Sequence, residues 1–280
     1  MGLLKNIKAC LSLPGLILVR RLAILCLLVL GGGQTVNANP FAGYQWVDLT
    51  HTFDANTLYW PTEKGFVHDQ NVAEVTEGGW FYASNRVITA EHGGTHLDAP
   101  IHFAQGRWST DEIPLASLIG AAVVIDVKAQ ALKDRDYLLD VETIQRWEAE
   151  HGAIPDEALV LLNTGYAQFW PDRLRYMGTD KVGAEAVPEL HFPGFSQPAA
   201  AYLSEVRKVK AVGLDTPSID YGQSADFIVH RYLYERNVIG FENVANLDQL
   251  PATGAYVIAL PMKIGGGSGG PLRIVALVPK

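Results

Sequence analysis

The chain alternates between short apolar runs and longer polar stretches that contain glycine and proline. Continuous aliphatic runs, without a polar residue at every second position, are typical of strands that are covered on both faces. The glycines, prolines and polar residues between them mark turns. The predicted buried strands span residues 121–127, 159–162, 211–214, 256–260 and 272–278.

Segments between these runs predict helices. One helix spans residues 140–151 and ends before Gly152, a residue type that favours helix C-termini. Another spans about 196–208, where Ser196 can cap the first turn and Pro198 lies within it. A third helix, followed by a short buried strand, is predicted within residues 226–242. This alternation indicates an α/β or mixed α+β fold.

The N-terminus has the layout of a secretory signal peptide. Four basic residues precede a nine-residue apolar run at 22–30, and a glycine triplet and small residues follow up to Ala38. The run is too short to span a bilayer, which takes about 20 residues. We therefore expect residues 1–38 to be a signal peptide and residues 39–280 to form one secreted or periplasmic domain without a membrane anchor.

Cysteine content and charge narrow the class of protein. Both cysteines, Cys10 and Cys26, lie in the predicted leader, so the mature chain has no disulfide and its core must supply its stability. The formal charge of −8 becomes −12 when the leader, with four basic and no acidic residues, is removed. Such an acidic protein is not expected to bind nucleic acid or an anionic membrane surface.

Residues 91–103 are dense in metal-binding side chains. The segment reads Glu-His-Gly-Gly-Thr-His-Leu-Asp-Ala-Pro-Ile-His-Phe and holds three of the eight histidines. Imidazole nitrogens and a carboxylate, with no thiolate nearby, suit zinc or manganese. The alternative is a set of histidines scattered on a polar loop, but four such groups together favour a metal site. The candidate ligands here are His92, His96, Asp98 and His102.

The spacing in this segment predicts its geometry. Gly93, Gly94 and Pro100 disfavour a regular helix and favour an extended or looped backbone. Alternate residues of an extended chain share a face, so His96 and Asp98 are predicted to point the same way. The two glycines can fold the chain back and bring His92 to the same centre. His102 continues the even-numbered face, as a further ligand or as an acid–base group.

A metal site for hydrolysis also needs donors from a distant part of the chain. His230 lies on the helix predicted within residues 226–242, and Glu242 lies on the strand that follows. Taken alone, His230 fits a structural role and Glu242 a surface one. The stretch 265–270 lacks the Gly-Lys-Ser/Thr ending of a phosphate-binding loop and precedes a strand, so it predicts a tight turn near the pocket.

The pattern His-x-Gly-Thr-His-x-Asp-x-Pro-x-His at residues 92–102 resembles the family of metal-dependent cyclases and hydrolases that includes bacterial kynurenine formamidase and isatin hydrolase. Weaker similarities follow in the family's order and cover most of the chain after residue 45. They lie at residues 47–49, 60–61, 213–220, 230, 242 and 269–273.

This resemblance implies a barrel-like mixed sheet flanked by helices, usually assembled as a homo-oligomer such as a dimer or tetramer. It also implies a site for two metals bridged by Asp98, with His102 at the position of the acid–base histidine. The implied metal ligands are His92, His96, Asp98, His230 and Glu242.

Residues 144–152 and 246–251 look closer to the isatin hydrolase branch, which is described as using manganese. That branch lacks the carboxylate at the position of Glu242. We therefore expect Mn²⁺ or Zn²⁺ as the cofactor, with one or two ions.

The metal chemistry predicts hydrolysis without a protein nucleophile. A divalent metal lowers the pKa of bound water from about 16 toward 7, and His102 can accept a proton and deliver it to a leaving nitrogen. Aromatic residues near the predicted pocket favour a small aromatic amide or lactam as substrate, because flat rings stack well on one another. The residues expected to contact substrate are Trp60, Trp80 and Phe81.

Three functional classes remain open. The leading hypothesis is a secreted hydrolase of a small aryl or cyclic amide, and export ranks isatin-like lactams above N-formylkynurenine, the arylformamidase substrate. The second is a metal-dependent cyclase or dehydratase that acts on a non-amide carbonyl compound. The third is a non-catalytic metal-binding or ligand-binding protein.

Overall fold

Three of the predicted apolar runs lie side by side as parallel strands in the computed structural model, which describes residues 39–280. The predicted signal peptide, residues 1–38, lies outside the described residues. The three strands are β5 (Ile119–Asp126), β7 (Leu159–Asn163) and β9 (Ala211–Leu214), and β10 (Ile239–Glu242) extends the parallel set.

Antiparallel strands close this sheet into a barrel. β11 (Ala255–Pro261) pairs with β5 and with β12 (Gly269–Pro279), while β4 (His96–Asp98) pairs with β10. β12 also pairs with β4 through residues 269–271, which completes a closed ring of seven strands. A further strand, β1 (Tyr44–Asp48), pairs with the end of β12. The barrel-like mixed sheet and the mixed α+β class are confirmed.

The predicted helices are also present. The helix α2 (Val141–His151) begins after Asp140, whose side chain accepts a hydrogen bond from Thr143 N, and it ends at Gly152. Ser196 caps the N-terminus of α4 (Gln197–Ala201), which continues as a π-helical turn over Tyr202–Val206. The remaining elements are α1 (Lys128–Ala131), α3 (Arg173–Met177), α5 (Ile228–Tyr234), β2 (Val67–Val75), β3 (Phe81–Ile88), β6 (Leu138–Leu139), β8 (Gly194–Phe195) and 3₁₀ turns at Pro100–His102, Leu115–Ser117, Tyr166–Phe169, Ala184–Glu189 and Leu247–Gln249.

The parallel strands are continuous apolar runs in the sequence because each strand lies between two hydrophobic cores. Residues of one parity, such as Val160 and Leu162, pack against α2, α4 and α5 outside the barrel. Residues of the other parity, such as Leu159 and Leu161, fill the barrel interior. The carboxyl ends of β9 and β10 therefore emerge on a rigid support, and open α/β sheets bind ligands at such ends.

Two observations concern the surface of residues 39–280. β2 and β3 form an antiparallel hairpin with most side chains exposed. None of the helices in this part of the chain combines the length and the hydropathy that a bilayer crossing requires.

Candidate metal centre

β4 separates the candidate ligands from the barrel interior. Leu97 is fully buried in the interior core, whereas His96 and Asp98 point to the opposite side of the strand. Before the strand, Gly94 has a φ of 57°, in the left-handed region that favours glycine. This turn brings His92 Nδ1 to 2.7 Å from Asp98 Oδ1. The predicted extended backbone and the fold-back of His92 are confirmed.

α5 and β10 bring the two distant donors to the same place. Glu242 ends β10 and lies opposite His96 in the antiparallel register with β4. His230 Nε2, on α5, lies 3.2 Å from Glu242 Oε1 and 3.3 Å from Asp98 Oδ2. His96 Nε2 lies 3.1 Å from Asp98 Oδ1 and 3.4 Å from Glu242 Oε2. All five residues proposed as ligands therefore meet around Asp98.

The donor atoms have the arrangement that a divalent cation needs. Two groups of three side chains each place one donor atom within 4.8 Å of the others, and Asp98 belongs to both groups. The groups are His92–Asp98–His102 and His96–Asp98–Glu242.

The tautomers of two histidines support the same conclusion. His96 Nδ1 donates to Gly94 O at 2.9 Å, and His230 Nδ1 donates to Asp220 Oδ2 at 2.6 Å. Each Nε2 therefore faces carboxylate oxygens. Burial lowers the pKa of both histidines, but the carboxylates around them outweigh this effect and raise the pKa of His96 and of His230 above the usual value. His96 Nε2 is buried without a hydrogen-bond partner. Positive charge is therefore favoured between these nitrogens and the carboxylates. A divalent cation can supply it in place of a proton, and the imidazole and carboxylate donors fit zinc or manganese.

The two buried carboxylates differ in their electrostatics. Burial raises the pKa of Glu242, and the neighbouring carboxylate of Asp98 raises it further. Burial also opposes ionisation of Asp98, but His92, His230 and His96 surround it and hold its pKa well below its usual range. Asp98 is thus the permanent negative charge at the centre of the cluster.

Three further residues orient the ligands. Asp220 accepts hydrogen bonds from His230 Nδ1, as expected of a group that fixes a ligand, and from the backbone N–H of His230. Tyr234 donates from its hydroxyl to Asp98 Oδ2 at 2.8 Å, and Ser268 Oγ lies 2.9 Å from His92 Nε2. The stretch 265–270 therefore lies at the site, as predicted.

Sequence reasoning missed Tyr234 and Ser268. Tyr234 follows His230 by four residues on α5, so helical periodicity places both on one face, and this spacing was an available signal. Ser268 had no comparable signal because only the pairing of β12 with β4 brings it to His92.

His102 lies on the His92 side of the centre. Its ring stacks on that of His92, with centroids 3.8 Å apart and planes 19° apart. Burial lowers the pKa of His102 to about 3, and the imidazole is therefore neutral at neutral pH. A neutral imidazole has a lone pair for a metal or a proton, but a pKa of about 3 lies well below the near-neutral value that suits an acid–base histidine.

A cavity of about 190 Å³ opens onto the cluster. Trp60, Phe103 and Phe227 supply aromatic wall, and Trp60 lies 6.0 Å from Phe227 between ring centroids. The other lining residues are Leu58, Tyr59, Glu63, His92, Gly93, His96, His102, Met177, Pro217, Ser218, His230, Glu242 and Asn243. Trp60 thus lines the cavity, as expected of a residue that contacts substrate.

Trp80 and Phe81 do not line this cavity. They lie at the tip of the β2–β3 hairpin, with 64% and 65% of their surface exposed. The sequence places them between Trp60 and His92, but the hairpin carries them outward instead of across the pocket. Their proximity in sequence therefore did not translate into proximity to the site within one chain.

Comparison with known proteins agrees with this geometry. A family model described as putative cyclase matches residues 47–221. An isatin hydrolase from Roseibium aggregatum is 36% identical over 227 residues, which cover 78% of this chain and 83% of that protein. A kynurenine formamidase from Salinibacter ruber is 28% identical over 234 residues, which cover 82% and 95% of the two chains.

Solved structures show the same relationship. Isatin hydrolase A from Labrenzia aggregata, bound to benzyl benzoate, superposes with a TM-score of 0.77 at 34% identity and covers 85% of this chain and 95% of that one. Isatin hydrolase A from Ralstonia solanacearum gives 0.75 at 32% identity, with coverage of 96% and 100%. The chain belongs to the cyclase family. It is a metal-dependent hydrolase of that family.

Proposed function

We propose that this protein opens a small cyclic or aryl amide, with isatin-like lactams as the leading substrate class. The observation that carries the proposal is the cluster around Asp98 at the floor of an aromatic cavity. Its similarity to an isatin hydrolase supports the same class of substrate.

His92, His96, Asp98, His230 and Glu242 would hold Mn²⁺ or Zn²⁺, with one or two ions. A bound ion of this kind polarises a carbonyl oxygen and makes water a good nucleophile at neutral pH. Asp220, Tyr234 and Ser268 keep the ligand side chains in position through the bonds described above. The carboxylate of Asp98 is suited to bridging because its two oxygens face different histidines.

His102 is the proposed acid–base residue. Because its imidazole is neutral, it can take a proton from the attacking water and pass it to the leaving nitrogen. Its stacking on His92 holds the ring beside the cluster and limits its rotation. Trp60, Phe103 and Phe227 would hold a flat substrate ring against the cluster and exclude water from it.

N-formylkynurenine is the second candidate substrate, because Glu242 completes the ligand set of the formamidase branch and a formamidase is among the relatives. Against it, the lining described above includes Glu63 but no lysine or arginine that would pair with an amino-acid carboxylate. The cavity lining therefore favours a substrate without a free carboxylate.

Steady-state hydrolysis of isatin and N-formylkynurenine by protein loaded with Mn²⁺ or Zn²⁺ tests the proposal, with metal content determined on the same samples. We expect isatin to be the better substrate and His102→Ala to lose most of the turnover. A protein that binds metal but hydrolyses neither compound, nor other aryl amides, would contradict the proposal.

We also propose that the mature protein is exported and forms a homo-oligomer. Residues 1–38 support export through their composition. The exposed apolar side chains of the β2–β3 hairpin, Val75, Trp80, Phe81 and Ile88, support association because large exposed apolar patches mark interaction sites. N-terminal mass measurement on exported protein should give a start at Asn39, and sedimentation should give more than one chain per particle.

A further inference from the structure

A carboxylate next to the ligand motif is bonded to the turn that joins β11 and β12. Glu91 Oε2 accepts one hydrogen bond from the backbone N–H of Ser268 at 2.8 Å and another from its hydroxyl at 2.6 Å. The carbonyl of the same serine accepts from Ala99 N at 2.9 Å. Ser268 is thus held on both sides, by the residue that precedes His92 and by the residue that follows Asp98.

These bonds determine the direction of the contact between Ser268 and His92. A hydroxyl has one hydrogen, and the Ser268 hydrogen lies on the bond to Glu91, because a carboxylate accepts hydrogen bonds and cannot donate them. The serine oxygen can therefore only accept from His92 Nε2, which lies 2.9 Å away. Nε2 of His92 must then carry a hydrogen.

The other ring nitrogen of His92 is left for a metal. A histidine that binds a metal is neutral and holds one hydrogen, which in His92 lies on Nε2. The lone pair is then on Nδ1, the atom that lies 2.7 Å from Asp98 Oδ1. His96 and His230 have the opposite arrangement, because their Nδ1 atoms bond groups outside the cluster and their Nε2 atoms face it.

We propose that Glu91 is a positioning residue of the metal centre, which acts through the Ser268 hydroxyl to make His92 a ligand through Nδ1. This inference rests on the ligand set of the proposed function and not on its substrate. Metal-binding histidines commonly donate their second N–H directly to a carboxylate or a carbonyl, whereas here a serine lies between the two groups. Without Glu91, the serine hydroxyl can donate to Nε2 and favour the tautomer that has its hydrogen on Nδ1.

Nitrogen NMR of histidine-labelled, Zn²⁺-loaded protein tests the assignment, because it distinguishes a metal-bound ring nitrogen from a protonated one. In wild type we expect His92 to bind through Nδ1 and to carry its hydrogen on Nε2, the reverse of His96 and His230. In Glu91→Leu this pattern should be lost at His92 alone. The Kd for Zn²⁺, measured by competition with a chelator, should be weaker by about 10- to 100-fold.

Two further variants separate the relay from general damage. Glu91→Gln should restore the tautomer and most of the affinity, because an amide oxygen can accept the same two hydrogen bonds. Ser268→Ala should reproduce the loss seen in Glu91→Leu, and the double variant should lose little more, because residues that act through one contact are not additive.

Asp111→Leu is the matched control. Asp111 Oδ1 also accepts from a serine hydroxyl, that of Ser109, and from a backbone N–H of the same turn, that of Gly266, both at 2.8 Å. Neither partner is hydrogen-bonded to a histidine within residues 39–280. We therefore expect Asp111→Leu to leave the tautomer of His92 and the Kd for Zn²⁺ unchanged.

Binding of His92 through Nε2 in wild type would overturn the assignment, and this result does not depend on how any variant folds. Equal losses of affinity in Glu91→Leu and Asp111→Leu, or no loss in either, would also overturn it. Failure of the proposed function would show separately, as wild type that binds Zn²⁺ with the expected tautomer but hydrolyses no amide.

Discussion

The hydroxyl of Tyr234 donates to Asp98 Oδ2 across 2.8 Å in the fully buried space between α5 and β10. Gly240 makes this contact possible, since a Cβ at that position would lie 2.5 Å from the Tyr234 hydroxyl. Because Gly240 on β10 has no side chain, Tyr234 on α5 can approach and hold Asp98, the carboxylate that belongs to both donor groups.

Tyr234→Phe should weaken metal binding without unfolding the protein. Removing the hydroxyl frees Asp98 Oδ2 to rotate, and loss of a partner that orients a ligand typically costs 10- to 100-fold in metal affinity. Competition with a calibrated chelator measures the Kd. Tyr232→Phe is the matched control on the same helix, because its hydroxyl bonds Glu205 at the surface. Equal affinities for the two variants would show that Tyr234 does not position Asp98.

Gly269→Ala should damage the centre, whereas Gly265→Ala should not. A Cβ at Gly269 would lie 2.5 Å from His92 Cε1 and 2.7 Å from the Leu97 carbonyl, while a Cβ at Gly265 would meet nothing within 4 Å. We expect Gly269→Ala to cost about 1–3 kcal/mol of unfolding free energy through overpacking and to weaken metal binding by displacing His92. Urea unfolding and metal titration of both variants check this, and similar behaviour of the pair would refute it.

Metal binding should stabilise the fold. The folded chain gathers the donors and the unfolded chain does not, so free metal at a hundredfold excess over Kd adds about 3 kcal/mol. For a domain of this size, that corresponds to a rise in Tm of about 5–10 °C. Calorimetry with Mn²⁺, with Zn²⁺ and with chelator measures the shift. His96→Ala should lose most of it, and an unchanged Tm in wild type would argue against a preformed centre.

His51 should make stability depend on pH below neutrality. Its ring stacks on Trp170 at 4.2 Å, its Nε2 is buried without a partner, and burial lowers the pKa of His51 to about 4 from the usual 6.5. As pH falls below 6.5 the unfolded chain gains a proton that the folded chain refuses down to about 4, so stability is lost across this window.

The expected contribution of His51 between pH 7.5 and pH 5 is about 2 kcal/mol. Urea unfolding at the two pH values, with chelator present throughout, compares wild type with His51→Gln. The variant should lose less stability on acidification by that amount. His68→Gln, on the exposed hairpin, should behave as wild type. Identical pH dependence in His51→Gln and wild type would contradict the prediction, because it would mean that the pKa of His51 is the same in the folded and unfolded states.

Much of the centre was predictable because its chemistry is local. His96 and Asp98 follow the two-residue period of a strand. The glycines before them let the chain fold back, which brings His92 to the same centre. His230 and Glu242 entered only through family resemblance, because no period links α5 to β4. Their meeting depends on the register of β10 with β4.

Two differences between the expected and the observed surroundings of the centre have the same physical origin. Trp80 and Phe81 are near the motif in sequence, but strand pairing within the β2–β3 hairpin carries them away from the cavity. Ser268 is far from the motif in sequence, yet barrel closure brings it to His92. In both cases long-range pairing, which a single sequence does not reveal, decides which side chains reach the centre.

β12 follows all the other strands in the sequence, yet it pairs with β1, β4 and β11. The ring of strands cannot shut until this segment has been synthesised, and the serine that holds His92 arrives with it. Ion capture should therefore be a late event, and a chain emerging from the ribosome would carry its imidazoles unassembled until β12 has followed them.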